Sequence, residues 1–371
     1  MKTQPTIMVL DPAGNMWGSE RVLLDFLGSH LAQKRNIALC CPPGTPLANA
    51  AKLIGIPVFP FFIANLHEKG KFSRLRAAIG LFNACRRYHA DVIYVNQAGA
   101  SRIALYVGRF LKIPVIPHVR LLEDASYIEA LNASDHAMPR VLVISKFISH
   151  AFKNANLKKR VTVLYDAYVM KALPDFDSSS SQASFNLCCA GRLVPIKGQN
   201  VLIKAIAELN RSGFKVSLNL YGAGLPGQCF EADLVKLVDK LGLNSQVAFH
   251  GFVGDIPAEM QRHRAVICPS DVEPLGRVIF EAWNSASLPI VGAFSGGAAE
   301  VVDASQGGLI YSEQTPESLA NTIKACFELS TQERLAMIER GRNWLQKNCN
   351  VEEYSLNLFK VLDMAAGKNE Y

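Results

Sequence analysis

Residues 265–286 read AVICPSDVEPLGRVIFEAWNSA. The segment begins with the apolar run Ala265–Cys268, which is typical of a short buried strand. From Val278 to Ala286 the apolar residues recur with the period of a helix, and Gly276 is placed where that helix would begin. A strand, a short loop and a helix in this order are the repeating unit of a parallel sheet. The segment therefore predicts an α/β fold.

Two acids, Glu273 and Glu281, lie on either side of Gly276. The backbone N–H groups of a first helical turn, with the positive end of the helix dipole, suit a diphosphate. Glu273 precedes the helix and can reach hydroxyl groups on one side of the phosphates. Glu281 lies about 7.5 Å further along the helix and can reach hydroxyls on the other side. Because a carboxylate accepts two hydroxyl bonds at once, the pattern suits a sugar nucleotide, although a helix cap and a solvated face would also produce it.

The same alternation of strand-like and helix-like patterns extends over the rest of the chain. In the first half, strands are predicted at Thr6–Leu10, Asn36–Cys41, Val58–Phe61, Val92–Asn96, Ile113–His118, Val141–Ile144 and Val161–Tyr165. Helices are predicted between them at Glu20–Leu31, Arg74–His89, Ala100–Leu111 and Lys146–Asn154. The second half repeats the alternation at Phe185–Ala190, Gln199–Asn210, Lys215–Tyr221, Glu231–Leu241, Val247–His250 and Ala265–Cys268. Such alternation predicts two parallel sheets wrapped by helices.

A polar, serine-rich stretch, Asp175–Gln182, separates the two halves and is typical of a linker. A length of 371 residues also exceeds what one hydrophobic core usually serves. We therefore predict a first domain, a linker, a second domain and a C-terminal stretch over residues 1–168, 169–184, 185–350 and 351–371. The last stretch contains an amphipathic pattern, Val351–Ala366, which packs either on its own domain or on the first. Since ligands bind at the carboxyl ends of strands in doubly wound sheets, the expected site is a cleft between the domains.

The composition is that of a globular protein, with 49% hydrophobic and 19% charged residues. No apolar run approaches the roughly 20 residues that a membrane span needs, and the N-terminus enters the first predicted strand without the features of a signal peptide. The nine cysteines form no Cys-x-x-Cys pair, which is typical of buried free thiols. These features predict a protein of the reducing cytoplasm.

The net charge of +7 is unevenly distributed. Residues 1–168 contain 21 Lys and Arg against 10 Asp and Glu, whereas the remainder contains 18 against 22. A basic first half suits phospholipid head groups, a lipid diphosphate or nucleic acid. Nucleic acid is the least favoured partner, because the positive charge lacks interleaved aromatic residues.

Part of this positive charge lies in one amphipathic region. Its basic residues are Lys69, Lys71, Arg74, Arg76, Arg86 and Arg87, and its apolar residues are Leu75, Ala78, Ile79 and Phe82. A basic amphipathic helix can lie on an anionic bilayer. An ordinary outer helix with a charged face would show the same pattern, so both interpretations stay open.

Basic residues follow the first strand of the second half. In the run AGRLVPIKG, residues 190–198, the strand ends at Gly191, and the following loop contains Arg192 and Lys197. A guanidinium binds phosphate oxygens in a bidentate manner, and an ammonium adds a mobile point charge. Together they can neutralise a diphosphate leaving group as it gains charge. Basic residues at strand ends are often only solvated, but a helix that begins at Gly276 in the same sheet favours phosphate binding.

Other loops are weaker candidates for ligand contact. Gly18 follows the first strand and Gly222 follows a strand of the second half, where a simple turn would also place a glycine. His118 ends a predicted strand at the edge where ligands bind, although a lone histidine in such a place is more often structural. Phe252 and Val253 lie in a loop that suits a nucleotide base. Since no cluster of acids, histidines and cysteines has the spacing of metal ligands, we expect no catalytic metal and no cofactor.

Taken together, these segments resemble family 4 of the retaining glycosyltransferases, which have the GT-B fold of two Rossmann-like domains. The matching motifs are Gly18-Ser19-Glu20, Gly191-Arg192, Lys197-Gly198, Gly222-x-Gly224 and the Glu-x7-Glu signature from Glu273 to Glu281. They occur in both halves of the chain in the order of the family. Residues 289–300 and 307–310 are similar to the family's next strand, loop and return strand.

The resemblance implies transfer of a sugar from a UDP- or GDP-type donor, with retention at the anomeric carbon and without a metal. By analogy, Glu273 contacts the donor sugar and Glu281 contacts the ribose. Arg192 and Lys197 hold the diphosphate, with help from backbone N–H groups near Gly18 and Gly276. The leaving phosphate itself deprotonates the acceptor, so that no protein base is required.

Other positions carry less defined roles in the resemblance. His118 contacts the donor sugar or the acceptor, and Leu275 belongs to the donor site. Arg277 occupies a position where an apolar residue is common, and it can add a contact to phosphate. Trp17 replaces a usual glycine and narrows the acceptor side, whereas residues 165–167 replace a usual Asn-Gly turn.

The favoured function is a hexosyltransferase-like enzyme of cell-surface polysaccharide, lipopolysaccharide or glycolipid synthesis. Its acceptor would be a glycan or a lipid-linked molecule, and its location the cytoplasm or the inner face of the cytoplasmic membrane. A sugar-nucleotide epimerase is the first alternative, and only His118 and Glu273 are candidates for its acid and base groups. A catalytically silent scaffold that binds sugar nucleotide is the second.

Overall fold

A computed structural model of the protein describes residues 4–62, 71–131, 133–134, 136–172 and 185–367. The chain forms two compact units, one of Met1–Val169 with Asn348–Tyr371, the other of Met170–Lys347. Lys69 of the basic region and residues 173–184 of the predicted linker lie outside the described residues.

The first unit contains a parallel sheet. Its strands are β1 (Ile7–Leu10), β2 (Ile37–Cys41), β3 (Val58–Pro60), β4 (Val92–Val95), β5 (Val115–Val119), β6 (Val141–Val143) and β7 (Val161–Val163). Their order is β3-β2-β1-β4-β5-β6-β7. Every residue of β1, β2 and β4 is buried, as expected for central strands that are covered by helices on both faces. The strand order reverses between β1 and β4, so that the loops after these two strands diverge at the carboxyl edge.

Helices cover both faces of this sheet. They are α1 (Gly18–Gly28), α2 (Pro46–Leu53), α3 (Lys71–Arg87), α4 (Ser101–Leu111), α5 (Glu123–Ala130), α6 (Lys146–His150) and α7 (Ala155–Lys158). The predicted helix Lys146–Asn154 begins at the right residue but is four residues too long, because α6 ends at His150 and the next helix, α7, begins after Asn154. The Asn154 side chain accepts hydrogen bonds from the N–H groups of Asn156 and Leu157 and so caps the N-terminus of α7.

The second unit contains another parallel sheet. Its strands are β8 (Asn186–Ala190), β9 (Ser217–Tyr221), β10 (Val247–Phe249), β11 (Ala265–Cys268), β12 (Leu288–Gly292) and β13 (Leu309–Tyr311), in the order β10-β9-β8-β11-β12-β13. Its helices are α8 (Gln199–Arg211), α9 (Phe230–Lys240), α10 (Ile256–Met260), α11 (Arg277–Asn284), α12 (Gly297–Ser305), α13 (Pro316–Glu328) and α14 (Thr331–Asn348). The strand order again reverses between β8 and β11, which places a crevice at their carboxyl ends.

The last helix, α15 (Val351–Ala365), packs in the first unit. The rings of Tyr354 and Phe359 contact Phe26 of α1, with centroids 6.1 and 5.3 Å apart. Asp363 forms an ion pair with Arg35. Each large apolar side chain buried here contributes roughly 1.5–3 kcal/mol. The C-terminal helix is therefore part of the core of the first unit.

The predicted strands agree with the observed ones to within one or two residues at most ends. The sequence pattern did not predict the helices α2, α5, α7, α10, α12, α13 and α14. The long helix α14 is polar along most of its length, with only four buried residues, and therefore lacks the clear apolar period that identifies a helix in a sequence.

Candidate functional site

A pocket of about 490 Å³ lies at the carboxyl ends of β8, β9 and β11 in the second unit. It brings together most of the residues that the sequence singles out in this half of the chain. Those that line it are Gly191, Arg192, Lys197, Gly222, Phe252, Val253, Glu273, Arg277 and Glu281. Sequence reasoning did not identify the further lining residues Cys189 and Gln199. Tyr221 and Ser270, at the ends of two strands, also line the pocket. The pocket occupies the crevice at which ligands bind in such sheets.

Gly276 sets the direction of helix α11 at the pocket wall. Its φ of 79° and ψ of 57° are left-handed, and a Cβ atom there would lie 2.7 Å from the Cβ of Ala298. Only glycine fits this position without strain. The predicted helix start is confirmed, because α11 begins at Arg277, immediately after Gly276. The first turn and Glu281, one turn later, therefore both face the pocket.

Lys197 and Glu273 form an ion pair within the pocket. The Lys197 ammonium donates to Glu273 Oε2 at 2.5 Å, and the Ser270 hydroxyl donates to the same oxygen at 3.2 Å. The two charged side chains are only 24% and 14% exposed. Burial is the largest influence on the pKa of Lys197 and acts to lower it. The charge of Glu273, the neighbouring Cys268 and the hydrogen bond to Glu273 together outweigh burial and hold this pKa above its ordinary value. The ammonium is therefore charged and fixed in place, not mobile as the sequence suggested.

The loops that carry Lys197 and Glu273 are held together by hydrogen bonds. The backbone N–H of Asp271 donates to the carbonyl of Ile196 at 2.9 Å. The Gln314 amide donates to the carbonyl of Pro269 at 2.8 Å and to Asp271 Oδ1 at 2.6 Å. The buried Tyr311 hydroxyl donates to Gln314 Oε1 at 2.9 Å and so orients this amide. Sequence analysis did not identify Gln314, because no local pattern connects it to a loop more than forty positions earlier.

Replacing Gln314 by methionine is expected to destabilise the second unit by about 1–2 kcal/mol, because it leaves the Pro269 carbonyl and the Asp271 carboxylate without their donor. Hydrogen exchange followed by mass spectrometry should show faster exchange in residues 192–198 and 269–276. The same change at Gln332, an exposed residue of α14, is the matched control and should leave both loops unchanged. Equal exchange in the two variants would contradict the assigned role of Gln314.

The loops after β8 and β9 approach each other closely. A Cβ atom at Gly222 would lie 2.0 Å from the carbonyl oxygen of Gly191, so this contact requires glycine. The Gln199 amide donates to the backbone carbonyl of Arg192 at 2.9 Å, and the Glu231 carboxylate accepts the N–H of Gly224 at 2.7 Å. These bonds fix the backbone from which the exposed Arg192 side chain extends.

One end of the pocket is aromatic and apolar. Tyr221 and Phe252 line it together with Val253 and Ile256, and Phe252 is 82% exposed. Tyr221 is held in place because its ring stacks on His250, with centroids 4.6 Å apart and an angle of 14°. Aromatic and apolar side chains of this kind suit a planar ring, and Glu281 lines the same pocket.

The remaining predicted site residues lie elsewhere. Leu275 is buried in the wall behind Gly276, 2% exposed. Gly18 belongs to the first unit, where it is the first residue of α1. The Trp17 N–H before it donates to Glu20 Oε2 at 3.1 Å, so the loop after β1 is fixed at its entry to the helix.

The predicted strand end at His118 is one residue early, and the side chain is not at an open edge. Strand β5 continues to Val119, and the His118 side chain is completely buried. Its Nδ1 lies 2.8 Å from the Tyr94 hydroxyl and 3.4 Å from Arg120. Burial, and then the positive charge of Arg120, hold the pKa of His118 well below its ordinary value. The ring is therefore neutral, and in this structure it is covered and not open to a ligand.

Arg120 lies at the centre of a buried polar cluster that sequence reasoning did not identify. Its guanidinium forms an ion pair with Asp166 and donates to the backbone carbonyl and the side chain of Asn96, both at 3.0 Å. Asn96 in turn donates to Asp11 at 2.8 Å. The cluster connects the residues that follow β1, β4, β5 and β7. Opposite charges directly after apolar strands were the signal in the sequence.

The described residues contain no group of three or more His, Cys, Asp and Glu side chains that is arranged to hold a metal ion. Within the same part of the chain, none of the helices has the length and apolar character that crossing a bilayer requires.

Comparisons with known proteins agree with this architecture. Residues 175–344 match the family model described as "Glycosyl transferases group 1". A GDP-mannose-dependent alpha-(1-6)-phosphatidylinositol monomannoside mannosyltransferase of Mycobacterium tuberculosis is 30% identical over 166 residues, 42% of each chain. D-inositol 3-phosphate glycosyltransferase 1 of Catenulispora acidiphila is 24% identical over 322 residues, 77% of this chain and 75% of the relative. The match to the mannosyltransferases thus spans less than half the length of those relatives.

Solved structures extend the similarity to nearly the whole chain. Anabaena HepE in complex with UDP and glucose has a TM-score of 0.80 at 22% identity, over 97% of this chain and 100% of that one. Sucrose-phosphate synthase of Thermosynechococcus elongatus has a TM-score of 0.77 at 16% identity, over 99% and 100%. At these identities the similarity concerns the fold. The predicted fold class is confirmed: two Rossmann-like domains of the GT-B type.

Proposed function

We propose that this protein is a retaining glycosyltransferase that moves a sugar from a nucleotide diphosphate sugar to a glycan or lipid-linked acceptor. The observation that carries the proposal is the pocket of the second unit. It combines Arg192, the Lys197–Glu273 pair, the start of α11 and Glu281 in one crevice. The family-model match over residues 175–344 supports the reaction class. The UDP complex of a protein with the same fold supports the class of donor.

The pocket has the chemistry that a nucleotide diphosphate sugar needs. Arg192 and the first turn of α11, where Arg277 lies, suit the two phosphates. Glu281 suits the ribose hydroxyls, and the flat apolar end formed by Tyr221 and Phe252 suits the base. A volume of about 490 Å³ is in the range of small-molecule sites.

In the proposed reaction the bond between the anomeric carbon and the diphosphate oxygen breaks, and the acceptor oxygen takes its place. Lys197 and Arg192 stabilise the negative charge that develops on the departing diphosphate. Ser270 and Lys197 orient Glu273, and its carboxylate accepts hydrogen bonds from hydroxyl groups of the donor sugar. The leaving phosphate accepts the acceptor proton, which requires neither a protein base nor a metal.

In this proposal the first unit binds the acceptor. His118 is covered in this structure, so a contact with the donor sugar or the acceptor requires its ring to become exposed. The relatives' names mention a phosphatidylinositol monomannoside, D-inositol 3-phosphate and colanic acid biosynthesis. These names support a role in cell-surface glycolipid, lipopolysaccharide or polysaccharide synthesis. We propose the cytoplasmic face of the membrane as its location.

A thermal-shift screen with UDP, GDP and ADP tests the donor site. We expect one nucleotide to stabilise the protein by about 2.7 kcal/mol at a concentration of 100 times its Kd. Glu281→Ala should lose most of this stabilisation, because the ribose hydroxyls lose their acceptor. Glu317→Ala, a change at an exposed residue of α13, should behave as the wild type. A nucleotide shift that Glu281→Ala leaves intact would argue against the ribose assignment.

Two assays separate the alternatives. An epimerase would change the sugar of the donor in the absence of any acceptor, whereas a transferase leaves the sugar configuration unchanged. A silent scaffold would bind the donor but give no turnover with any acceptor pool. The Lys197–Glu273 pair favours transfer, since a binding scaffold has no need of a cation fixed beside the bond that breaks.

A further inference from the structure

We infer that helices α3 and α4 of the first unit form a docking face for an anionic phospholipid bilayer. The inference goes beyond the proposed enzymatic function and does not depend on it. It rests on a patch of large apolar side chains that are exposed in the described part of the chain, and on the charge of the two helices that carry them.

The apolar part of this face lies along one side of α3. Phe72, Leu75 and Ile79 are 89%, 57% and 51% exposed. Their spacing of three and four residues places them on the same side of the helix. Phe82 continues the row, and its ring packs edge-on against Phe110 of α4, with centroids 5.4 Å apart. The row is therefore continuous with the second helix.

Helix α4 extends the patch with two aromatic residues. Phe110 is 77% exposed and Tyr106, one turn earlier, is 60% exposed. Contiguous exposed apolar side chains of this size are unusual on a soluble surface and are typical of a docking site. Amphipathic helices with large apolar residues insert them to the depth of the lipid head groups. We define the docking face as Phe72, Leu75, Ile79, Tyr106 and Phe110.

The charge around the docking face selects the partner. α3 contains five basic residues and α4 contains two, and neither helix contains an acidic residue. Arg74, Arg76, Arg87, Arg102 and Arg109 are exposed. Phospholipid head groups of negative charge are complementary to such a surface. A second copy of the chain is not, because docking two identical faces would bring their arginines together.

The structure also revises which residues of this region are available. Ala78 and Phe82 are half-buried, and they are therefore not part of the docking face. Phe72, Tyr106 and Phe110 join Leu75 and Ile79 there instead. The Arg76 guanidinium lies over the ring of Phe62, 4.5 Å from the ring centroid. This cation–π pair places an apolar ring and a positive charge side by side at the protein surface.

Vesicle flotation with the full chain tests the inference. Vesicles of phosphatidylglycerol and phosphatidylcholine in equal parts should bind the protein, and vesicles of phosphatidylcholine alone should bind it at least tenfold more weakly. Raising the salt concentration from 0.1 M to 1 M should release it, because the Debye length falls from about 10 to about 3 Å. Neither measurement needs a donor or an acceptor, so the result is independent of the proposed activity.

Two variants and their matched controls assign the binding to this face. Phe72→Ser with Phe110→Ser should lower partition into the anionic vesicles at least tenfold, whereas Leu53→Ser, at an equally exposed residue of α2, should not. Arg74→Gln with Arg76→Gln should lower it about fivefold per arginine, whereas Lys158→Gln with Lys159→Gln should have little effect. Equal binding to both kinds of vesicle, or anionic binding that the first two variants leave intact, would overturn the inference. A dimer in light scattering that Phe72→Ser with Phe110→Ser dissociates would overturn it in favour of self-association.

Discussion

Lys197→Ala is expected to lower the turnover number for sugar transfer about hundredfold, which corresponds to about 2.7 kcal/mol of transition-state stabilisation. Lys197 is held beside Glu273 at 2.5 Å in a pocket where both side chains are largely buried. A positive charge that is already in place needs no reorganisation when the diphosphate departs. Lys197 and Ser270 both donate a hydrogen bond to the Glu273 carboxylate. Removal of the Lys197 ammonium therefore leaves Ser270 as the donor of the two.

The measurement is steady-state kinetics with the donor found in the thermal-shift screen. The turnover number should fall more than the donor affinity, because the charge on the leaving group is largest in the transition state. Lys236→Ala is the matched control, since this lysine is 78% exposed on α9. Transfer by Lys197→Ala within twofold of the wild type would falsify the leaving-group role. Unchanged transfer by both Lys197→Ala and Glu281→Ala would remove the site assignment altogether.

Glu273→Gln separates the two partners of the pair. Glutamine keeps an oxygen that can accept from Lys197 and from Ser270, but it removes the negative charge. We expect transfer to fall at least tenfold, while nucleotide affinity, which depends on Arg192 and Glu281, stays near that of the wild type. A loss of transfer that is larger than the loss of nucleotide affinity shows that Glu273 acts on the sugar, as proposed. Equal losses show that it acts on the nucleotide.

Arg120→Met is expected to destabilise the first unit by about 3–5 kcal/mol. The guanidinium is 8% exposed and Asp166 is 5% exposed, so the change would leave a buried carboxylate without its counter-ion. The apparent Tm of this unit should fall by about 10 °C. Hydrogen exchange should accelerate in Val92–Val95 and Val115–Val119, the strands that the cluster joins.

Two further variants make this prediction specific. Arg87→Met, at an exposed position of α3, should leave the Tm unchanged within a degree or two. Arg120→Met combined with Asp166→Leu should recover part of the loss, because no charge then remains buried alone. If the double variant is as unstable as the single one, the loss arises from the bonds to Asn96 and not from the ion pair.

Local features of the site could be predicted from the sequence. Gly276 precedes a periodic apolar run, and the structure places a left-handed glycine there because any side chain would collide with Ala298. The strand-like runs before Gly191 and Gly222 likewise end where β8 and β9 end in the structure, at Ala190 and Tyr221. Such features depend on residues a few positions apart, so a short stretch of sequence contains the information.

His118 shows where this reasoning fails. The sequence pattern places His118 at the end of its strand, open to a ligand, yet β5 continues to Val119 and the His118 side chain is buried. Tyr94 and Arg120 satisfy one nitrogen of the ring inside the sheet, so the polarity of the residue does not require exposure. The partners that make this burial possible come partly from another strand, which a local pattern cannot indicate.

By itself, the sequence determined the doubly wound α/β character of both halves, the start of the helix at Gly276 and the basic and acidic residues at the strand ends. Periodicity and backbone sterics act over a few residues, and for this reason they are visible in the chain as written. Only the tertiary structure decided that Lys197 pairs with Glu273, that Gln314 holds their loops together and that α15 packs against Phe26. These contacts join residues 43 to 333 positions apart in a chain of 371, and they depend on which strands are neighbours. That choice belongs to the packing of the whole domain, and no single segment contains it.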